Sequence, residues 1–178
     1  LVMSKIIVNQ IQSADGTTEV LNTLSAVNLG AGIAGAGRVL QVVQNVVGNT
    51  TFSGAQSDIA TTYLVTITPS YTSSKILVSF TGTIACNDDQ IGWIVKRSIG
   101  GASYTSTAST ETYTGVTDRA GYHNTSNLAC QVLDSPNTTS AITYKIYITS
   151  ASGTVYLGRD LGGTYAADTQ CTVMEIAG

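Results

Sequence analysis

The sequence predicts an all-β protein: an antiparallel, jelly-roll-like β-sandwich behind a short extended N-terminal segment. Charged residues make up only 11% of the 178 residues, and Thr, Ser, Asn and Gly are abundant instead. The aromatic residues are mostly Tyr, with nine against two Phe and one Trp. Thr and Tyr favour pleated, half-buried surfaces. Apolar residues recur with a period of two, and no segment sustains the 3.6-residue period of a helix.

The first predicted element is a short strand near the N-terminus. Alternating apolar residues are followed there by an Asp-Gly pair, which is a strong turn signal. A strand this short is not stable alone in water, so we expect it to pair with another chain or a neighbouring protein. We therefore interpret residues 1–20 as an anchoring segment. Its candidate anchoring residues are Ile6, Val8, Ile11, Asp15 and Gly16.

A glycine-rich connector is predicted over residues 21–37. It ends with four glycines in eight residues, which disfavour a helix because glycine loses the most backbone entropy on folding. Two interpretations stay open. The segment is either a flexible linker or a place where small residues let three backbones approach a three-fold axis.

A β-sandwich is predicted over residues 38–178, where strand signals recur with turn punctuation between them. Their spacing is typical of an antiparallel sandwich or barrel. In the third of these segments the apolar side chains of Ile76, Val78 and Phe80 alternate with hydroxyl residues. The predicted strands cover residues 39–46, 63–68, 75–84, 91–97, 128–134, 141–148, 154–158 and 171–176.

Three turn-rich stretches interrupt these strands, at residues 49–57, 98–127 and 158–168. The middle stretch is long enough to be functional or to contain an additional hairpin. Tyrosines on polar loops provide amphipathic contact area with little charge, which suits carbohydrate or protein ligands. Ordinary exposed turn residues remain the alternative for each position. The candidate receptor-binding residues are Tyr104, Tyr113, Tyr122, His123, Arg159 and Tyr165.

Catalytic chemistry has little support in the sequence. His123 is the only histidine, so a catalytic triad would depend on it alone, and no nucleophile-elbow motif precedes a helical pattern. Asp88 and Asp89 could offer oxygen ligands to calcium, but their spacing matches no EF-hand and a polar turn is the simpler interpretation. Trp93 lies within a predicted strand, which favours core packing over a sugar platform. The sequence predicts no enzyme, no cofactor and no metal site.

The net charge limits the expected binding partners, and the cysteine spacing limits the expected thiol chemistry. The net charge is −3, without a basic cluster, which disfavours binding to nucleic acids and to anionic membranes. No apolar run reaches the roughly 20 residues of a membrane-spanning helix. The spacing of Cys86, Cys130 and Cys171 excludes CxxC motifs. We expect three buried thiols that pack as small hydrophobic residues.

Several segments resemble fibre proteins of tailed bacteriophages, of the short tail-fibre or head-fibre type. Residues 4–11 (SKIIVNQI) and 15–18 (DGTT) are similar to the N-terminal segments of such proteins. A domain common in phage fibres is similar to four further segments: 39–44 (VLQVVQ), 67–70 (ITPS), 73–78 (SSKILV) and 173–176 (VMEI).

The resemblance implies a virion component of an extracellular phage particle. Such proteins are usually homotrimers that attach to other virion proteins through the N-terminus and turn a C-terminal β domain outward. A short fibre or spike for host attachment is therefore expected, with a host cell-surface glycan or protein as ligand. A decoration or assembly protein of the capsid or tail, without a receptor-binding role, is the alternative. A lytic enzyme carried on the virion is a third.

Overall fold

A computed structural model describes residues 11–12, 18–19, 37–48, 50–53, 56–86, 90–107, 112–115, 125–150, 154–160, 162 and 166–178. The chain divides into two compact units, Leu1–Arg38 and Val39–Gly178. The described residues contain strands and turns, without any helix. The sequence prediction of an all-β protein is therefore confirmed.

The first unit contains a small antiparallel pair of strands. Strand β1, Ile11–Gln12, pairs with β2, Thr18–Glu19, so that Ile11 lies opposite Glu19. This pairing lies within one chain. The sequence analysis instead expected the leading strand to pair with another chain or a neighbouring protein. The predicted Asp-Gly turn stands between the two strands in sequence, outside the described residues. The other four candidate anchoring residues, Ile6, Val8, Asp15 and Gly16, and residues 21–36 of the connector lie outside the described residues.

In the described part of the second unit, all regular secondary structure is β-strand. Hydroxyl-bearing and β-branched residues favour this conformation throughout. The strands are β3 Val39–Val47, β4 Thr50–Ser53, β5 Gln56–Ile67, β6 Lys75–Cys86, β7 Gln90–Ile99, β8 Thr105–Ser106, β9 Thr112–Gly115, β10 Ser126–Asp134, β11 Ile142–Ser150, β12 Thr154–Leu157 and β13 Thr169–Ile176.

These strands form two antiparallel sheets. Sheet 1 has the order β3-β13-β6-β12-β4, with β10 paired to the opposite edge of β6. Strands β13 and β12 follow one another along the same side of the long strand β6. Sheet 2 has the order β5-β11-β7-β8, and β9 also pairs with β7. From β4 to β12 most connections cross from one sheet to the other, as in a jelly roll.

The core lies between the two sheets and follows the predicted alternation. Ile76, Val78 and Phe80 of sheet 1 are fully buried, and so are Tyr144 and Ile146 of sheet 2. Burying a side chain of this size contributes about 1.5–3 kcal/mol, so the inner faces supply the main stabilisation. Trp93 is only 5% exposed and belongs to the same core, which confirms the core-packing interpretation.

The eight predicted strands are all present, with different ends and with short additions. Residues 49–57, predicted to be turn-rich, contain β4 and the beginning of β5. That prediction was wrong because this polar stretch pairs at the edge of sheet 1, where β4 lies beside β12. The long middle stretch contains β8 and β9, as the loop-length argument anticipated.

None of the three cysteines forms a disulfide bond with another. Cys86 and Cys171 are buried, as predicted, whereas Cys130 is half-buried on the edge strand β10. Burial raises the pKa of Cys171 to about 12 and also raises the pKa of Cys130. Thiols with raised pKa values stay protonated near neutral pH and are poor nucleophiles. Cys86 and Cys171 belong to the hydrophobic core and Cys130 packs against it, so all three contribute to packing.

Candidate functional site

The structure describes only some of the six candidate receptor-binding residues. Tyr104 and Arg159 are described with their side chains. Tyr113 lies in β9, opposite Gly92 of β7. Tyr122, His123 and Tyr165 lie outside the described residues, as do the candidate calcium ligands Asp88 and Asp89.

Tyr104 is positioned by a tight turn at the end of β7. Gly100 and Gly101 have φ values of +58° and +81°, in the left-handed region that favours glycine. The N–H of Ala102 donates to the carbonyl oxygen of Ile99 at 3.1 Å and closes the turn. The chain then returns alongside β7 as β8, which pairs with Lys96 and Arg97. Tyr104 is thereby brought beside the outer face of sheet 2.

Four side chains on that face form a cluster, which we call the lysine–tyrosine cluster: Lys96, Lys145, Tyr104 and Tyr147. The two tyrosine rings are 5.7 Å apart between centroids, with a 57° interplanar angle. Lys96 Nζ lies 4.6 Å from the ring centroid of Tyr147, and Lys145 Nζ lies 4.8 Å from that of Tyr104. Each ammonium group thus covers one ring, in the geometry of cation–π interactions.

The cluster is an amphipathic surface, partly exposed at all four residues. Burial of Tyr104, with a smaller contribution from Tyr147, raises the pKa of the Tyr104 phenol. The phenol therefore stays neutral and can donate a hydrogen bond. Two ammonium groups, two ring faces and a phenol can together hold a ligand that combines negative charge with apolar C–H surface.

Arg159 belongs to a different place in the fold. Its guanidinium carbon lies 4.9 Å from the ring centroid of Tyr156, a residue of β12 in sheet 1. The Nε atom of Arg159 is buried and has no hydrogen-bond partner among the described residues. The structure therefore assigns Tyr104 and Arg159 to separate cation–aromatic contacts on different sheets.

The outer face of sheet 1 is chemically different. Register aligns β10, β6, β13 and β3 so that outward side chains form three rows across the four strands. Part of this surface is a groove of about 250 Å³. None of the twelve side chains is charged, and Lys75 lies just beyond them. We call this surface the uncharged face; its rows are Leu133-Leu77-Met174-Val42, Gln131-Ser79-Thr172-Gln44 and Ala129-Thr81-Gln170-Val46.

A buried carboxylate organises the opposite side of β13. Glu175 is fully buried and accepts four hydrogen bonds. Gln41 Nε2 donates to Oε2 at 2.6 Å, and Ser74 Oγ donates to Oε1 at 2.7 Å. Ser70 donates twice, from its backbone N–H to Oε1 at 2.6 Å and from Oγ to Oε2 at 3.0 Å. We call these four residues the Glu175 cluster.

The four donors decide the protonation state of Glu175. Burial by itself raises the pKa of the carboxyl, but the hydrogen bonds from Ser74, Gln41 and Ser70 together lower it below its ordinary value. The group is therefore a carboxylate near neutral pH, and each donor forms a charge-assisted hydrogen bond.

The Glu175 cluster also joins the four segments on which the expectation of a phage fibre domain rests. Gln41 belongs to residues 39–44, Ser70 to 67–70, Ser74 to 73–78 and Glu175 to 173–176. Segments up to 134 residues apart in sequence therefore meet at one carboxylate. Their polar residues have a shared structural task, which is to fasten β3 and the loop after β5 onto the last strand.

A second polar cluster links the two sheets. Asp134, at the end of β10, accepts a hydrogen bond from Tyr144 at 2.8 Å and forms an ion pair with Arg97. Burial, then the charge and hydrogen bond of Asp134, raise the pKa of Tyr144, while the Arg97 charge opposes that shift. Tyr144 and Arg97 are cross-strand partners in sheet 2, whereas Asp134 belongs to sheet 1. The cluster is structural, because removing one partner would leave a buried charge without its opposite charge.

Within the described parts of the chain, no three His, Cys, Asp or Glu side chains gather in a way that could hold a metal ion. The same described residues include no helix of the length and apolarity needed to cross a membrane.

Comparison with known proteins finds a distant likeness only. No protein-family model matches the chain, and no curated protein is similar to it. A chain in a structure of infectious bursal disease virus, Gt strain, is similar with a TM-score of 0.40 and 12% identity, over 80% of this chain and 39% of that chain. A chain of the Gx strain gives a TM-score of 0.38 and 11% identity, over 78% and 38%. The present chain thus spans under two-fifths of the length of those virus chains.

The sequence analysis named Tyr104 as a candidate binding residue but did not name the other three residues of the lysine–tyrosine cluster. Lys145 and Tyr147 alternate in β11, so the period of two places them on one outward face. That signal was available. Lys96 becomes their neighbour only through the pairing of β7 with β11, which the alternation does not specify.

Proposed function

We propose that the chain is a structural component of a tailed-phage virion. In this proposal it forms a short homotrimeric fibre or spike, attaches to the particle through residues 1–20 and displays its β-sandwich for binding to the host surface. Its role is non-catalytic.

The observation that carries the proposal is the Glu175 cluster. The resemblance to phage fibre domains rests on four short segments, and short β-strand phrases recur by chance. Here their polar residues Gln41, Ser70, Ser74 and Glu175 converge on one buried carboxylate. Residues that act together on one buried charge form a physical unit, and this supports treating the four segments as one motif.

The uncharged face supports the homotrimer. Around a three-fold axis, equivalent residues of three copies approach one another, so a charge on the facing surface meets two like charges. The uncharged face of sheet 1 would bring no such repulsion. The outer face of sheet 2 would bring Lys96 and Lys145 of every copy together. We therefore assign the contact between copies to the uncharged face and leave the lysine–tyrosine cluster on the outside.

Light scattering of the purified chain tests the assembly. The expected mass is three times 18.4 kDa, and a monomer at micromolar concentration would contradict the fibre. Antibodies raised against the chain should label purified phage particles at a fibre or tip. Binding of the labelled chain to whole host cells separates a receptor-binding fibre from a decoration protein, because a decoration protein should not bind them.

A further inference from the structure

We infer that the copies of the proposed homotrimer join edge to edge through sheet 1, with β10 of one copy paired antiparallel to β3 of the next. The inference rests on the proposed function and specifies how its copies meet. The partner is a second copy of this chain, and the two contact surfaces are the opposite edges of one sheet. The register is row for row, so that each row of the uncharged face continues into the neighbouring copy.

Strand β10 is an edge strand without the features that usually protect an edge. It pairs with β6 over nine residues in unbroken register, and no other strand of the described chain pairs with it. Protected edges carry lysine, proline or a β-bulge. Ser126–Asp134 contains neither lysine nor proline, and its one charge, Asp134, is engaged with Arg97 and Tyr144. The edge of β10 can therefore accept a further strand.

The backbone of β10 presents hydrogen-bonding groups along this edge. In β6, the carbonyl oxygen of Thr83 accepts from the N–H of Gly158 at 2.8 Å, on the side where β12 lies. Thr83 therefore turns its backbone groups away from β10. Because these groups alternate along an antiparallel ladder, its partner Asn127 turns its own groups away from β6. The unbroken register gives the same orientation to every second residue that follows: Ala129, Gln131 and Leu133.

The same alternation, carried across β6 and β13, determines the free groups of β3. In β13, Thr172 lies opposite Ser79 and turns its backbone groups towards β6. Its partner on β3, Gln44, therefore turns its groups away from β13, and no other described strand pairs with β3. Val42 and Val46 share this orientation. Both edges thus present the backbone groups of residues whose side chains belong to the uncharged face.

The two edges are complementary row for row. The pairs are Leu133 with Val42, Gln131 with Gln44 and Ala129 with Val46, the second residue of each pair lying in the next copy. Every pair brings outward backbone groups together. Leu133 and Val42 are 56% and 55% exposed because each lies at an edge of sheet 1, and the pairing would cover both. A shift of two residues would instead place Leu133 against an amide.

The strand directions suit a closed ring of copies. Strands β10 and β3 run antiparallel within the sheet, so the junction stays antiparallel when the copies are related by rotation about an axis along the strands. A contact between two different edges closes into a ring when that rotation closes, as it does in a homotrimer. Pairing of two β10 strands would instead make a dimer and leave Val42 and Val46 exposed.

Disulfide trapping tests the inference. Within one chain, Leu133 and Val42 are separated by three strand spacings, roughly 14 Å, which exceeds the reach of a disulfide. Mild oxidation of Leu133→Cys/Val42→Cys should therefore link different copies and give covalent species of two and three chains on a non-reducing gel. Neither single variant should cross-link, nor should the wild-type chain with its native cysteines. The matched control is Leu133→Cys/Val46→Cys, displaced by four residues along β3, which should not cross-link.

A proline variant gives a second measurement. Ala129→Pro removes an outward N–H that the ladder with β6 does not use, so the subunit should fold, as its far-UV spectrum would show. The pyrrolidine ring then occupies the approach of the next strand, and we expect the mass measured by light scattering to fall from three chains to one. Ala129→Val adds similar bulk and keeps the N–H, so its mass should stay at three chains.

Four outcomes overturn the inference. They are cross-linking of Leu133→Cys alone, which would place two β10 strands together; cross-linking of the control pair only; no cross-linking of the matched pair; and a three-chain mass in Ala129→Pro. Failure of the proposed function has a different signature, because a wild-type chain of monomeric mass contradicts the homotrimer itself. A three-chain mass without the matched cross-link contradicts only the pairing of β10 with β3.

Discussion

Sheet 1 and sheet 2 share one core, but the uncharged face of sheet 1 and the lysine–tyrosine cluster of sheet 2 differ in charge, in aromatic content and in the way their side chains are held. The uncharged face of sheet 1 has aliphatic and amide side chains in aligned rows across β10, β6, β13 and β3. The outer face of sheet 2 carries two lysines against two tyrosines. The side chains on the outer face of a sheet can vary, because they do not take part in the packing of the core. Under the proposed homotrimer, the uncharged face would contact the other copies and the outer face of sheet 2 would stay exposed.

The largest expected effect is a charge placed on the uncharged face. Met174→Lys introduces an ammonium group into the apolar row, and the three-fold symmetry of the proposed homotrimer would bring three of them together. Like charges brought together at an interface cost several kcal/mol. We expect the mass measured by light scattering to fall from three chains to one.

The matched control for Met174→Lys is Thr62→Lys, at an exposed position of β5 in sheet 2. It adds the same charge to the other sheet, and we expect the three-chain mass to persist. A trimer that survives Met174→Lys would show that the copies meet through another surface.

The second-largest expected effect concerns the Glu175 cluster, which lies on the side of β13 opposite the uncharged face. Glu175→Gln replaces the carboxylate that accepts four hydrogen bonds with an amide that is itself a donor. Leaving buried donors unsatisfied costs about 1–3 kcal/mol. We expect a loss of that size in the free energy of unfolding, measured by urea denaturation at one fixed protein concentration. Ser135→Ala, at an exposed position in the loop after β10, is the control and should cost under about 0.5 kcal/mol.

Sequence patterns predicted the strands and the inner faces, but they could not predict this cluster. The alternation of Ile76, Val78 and Phe80 follows from a period of two, which is local information. Glu175 interrupts an apolar strand, and only the fold shows that Gln41, its cross-strand partner on β3, and the serines of the loop after β5 satisfy it. The same holds for Lys96 and Lys145, which the register of β7 against β11 makes neighbours. Short-range patterns specify which face a residue occupies, whereas long-range pairing specifies what lies beside it.

Acid should weaken the wild-type protein through the same carboxylate. The pKa of Glu175 is lower in the folded chain than the value of about 4.3 for a free side chain. Its stabilisation is therefore fully present above that unfolded value and is lost as the pH falls through the native pKa. We expect the difference in unfolding free energy between wild type and Glu175→Gln to shrink over this range. A difference that stays constant from neutral to acidic pH would contradict the assignment.

The smallest effect is the coupling between the two tyrosines of sheet 2. Aromatic pairs in tilted contact contribute about 0.5–1.5 kcal/mol beyond the area they bury. A double-mutant cycle with Tyr104→Ala and Tyr147→Ala should give a coupling energy of this size in urea denaturation. The three-chain mass of the proposed homotrimer should persist in all three variants, because the proposal places the contact between copies on sheet 1. A coupling energy near zero would mean that the turn at Gly100 and Gly101 does not hold Tyr104 on Tyr147.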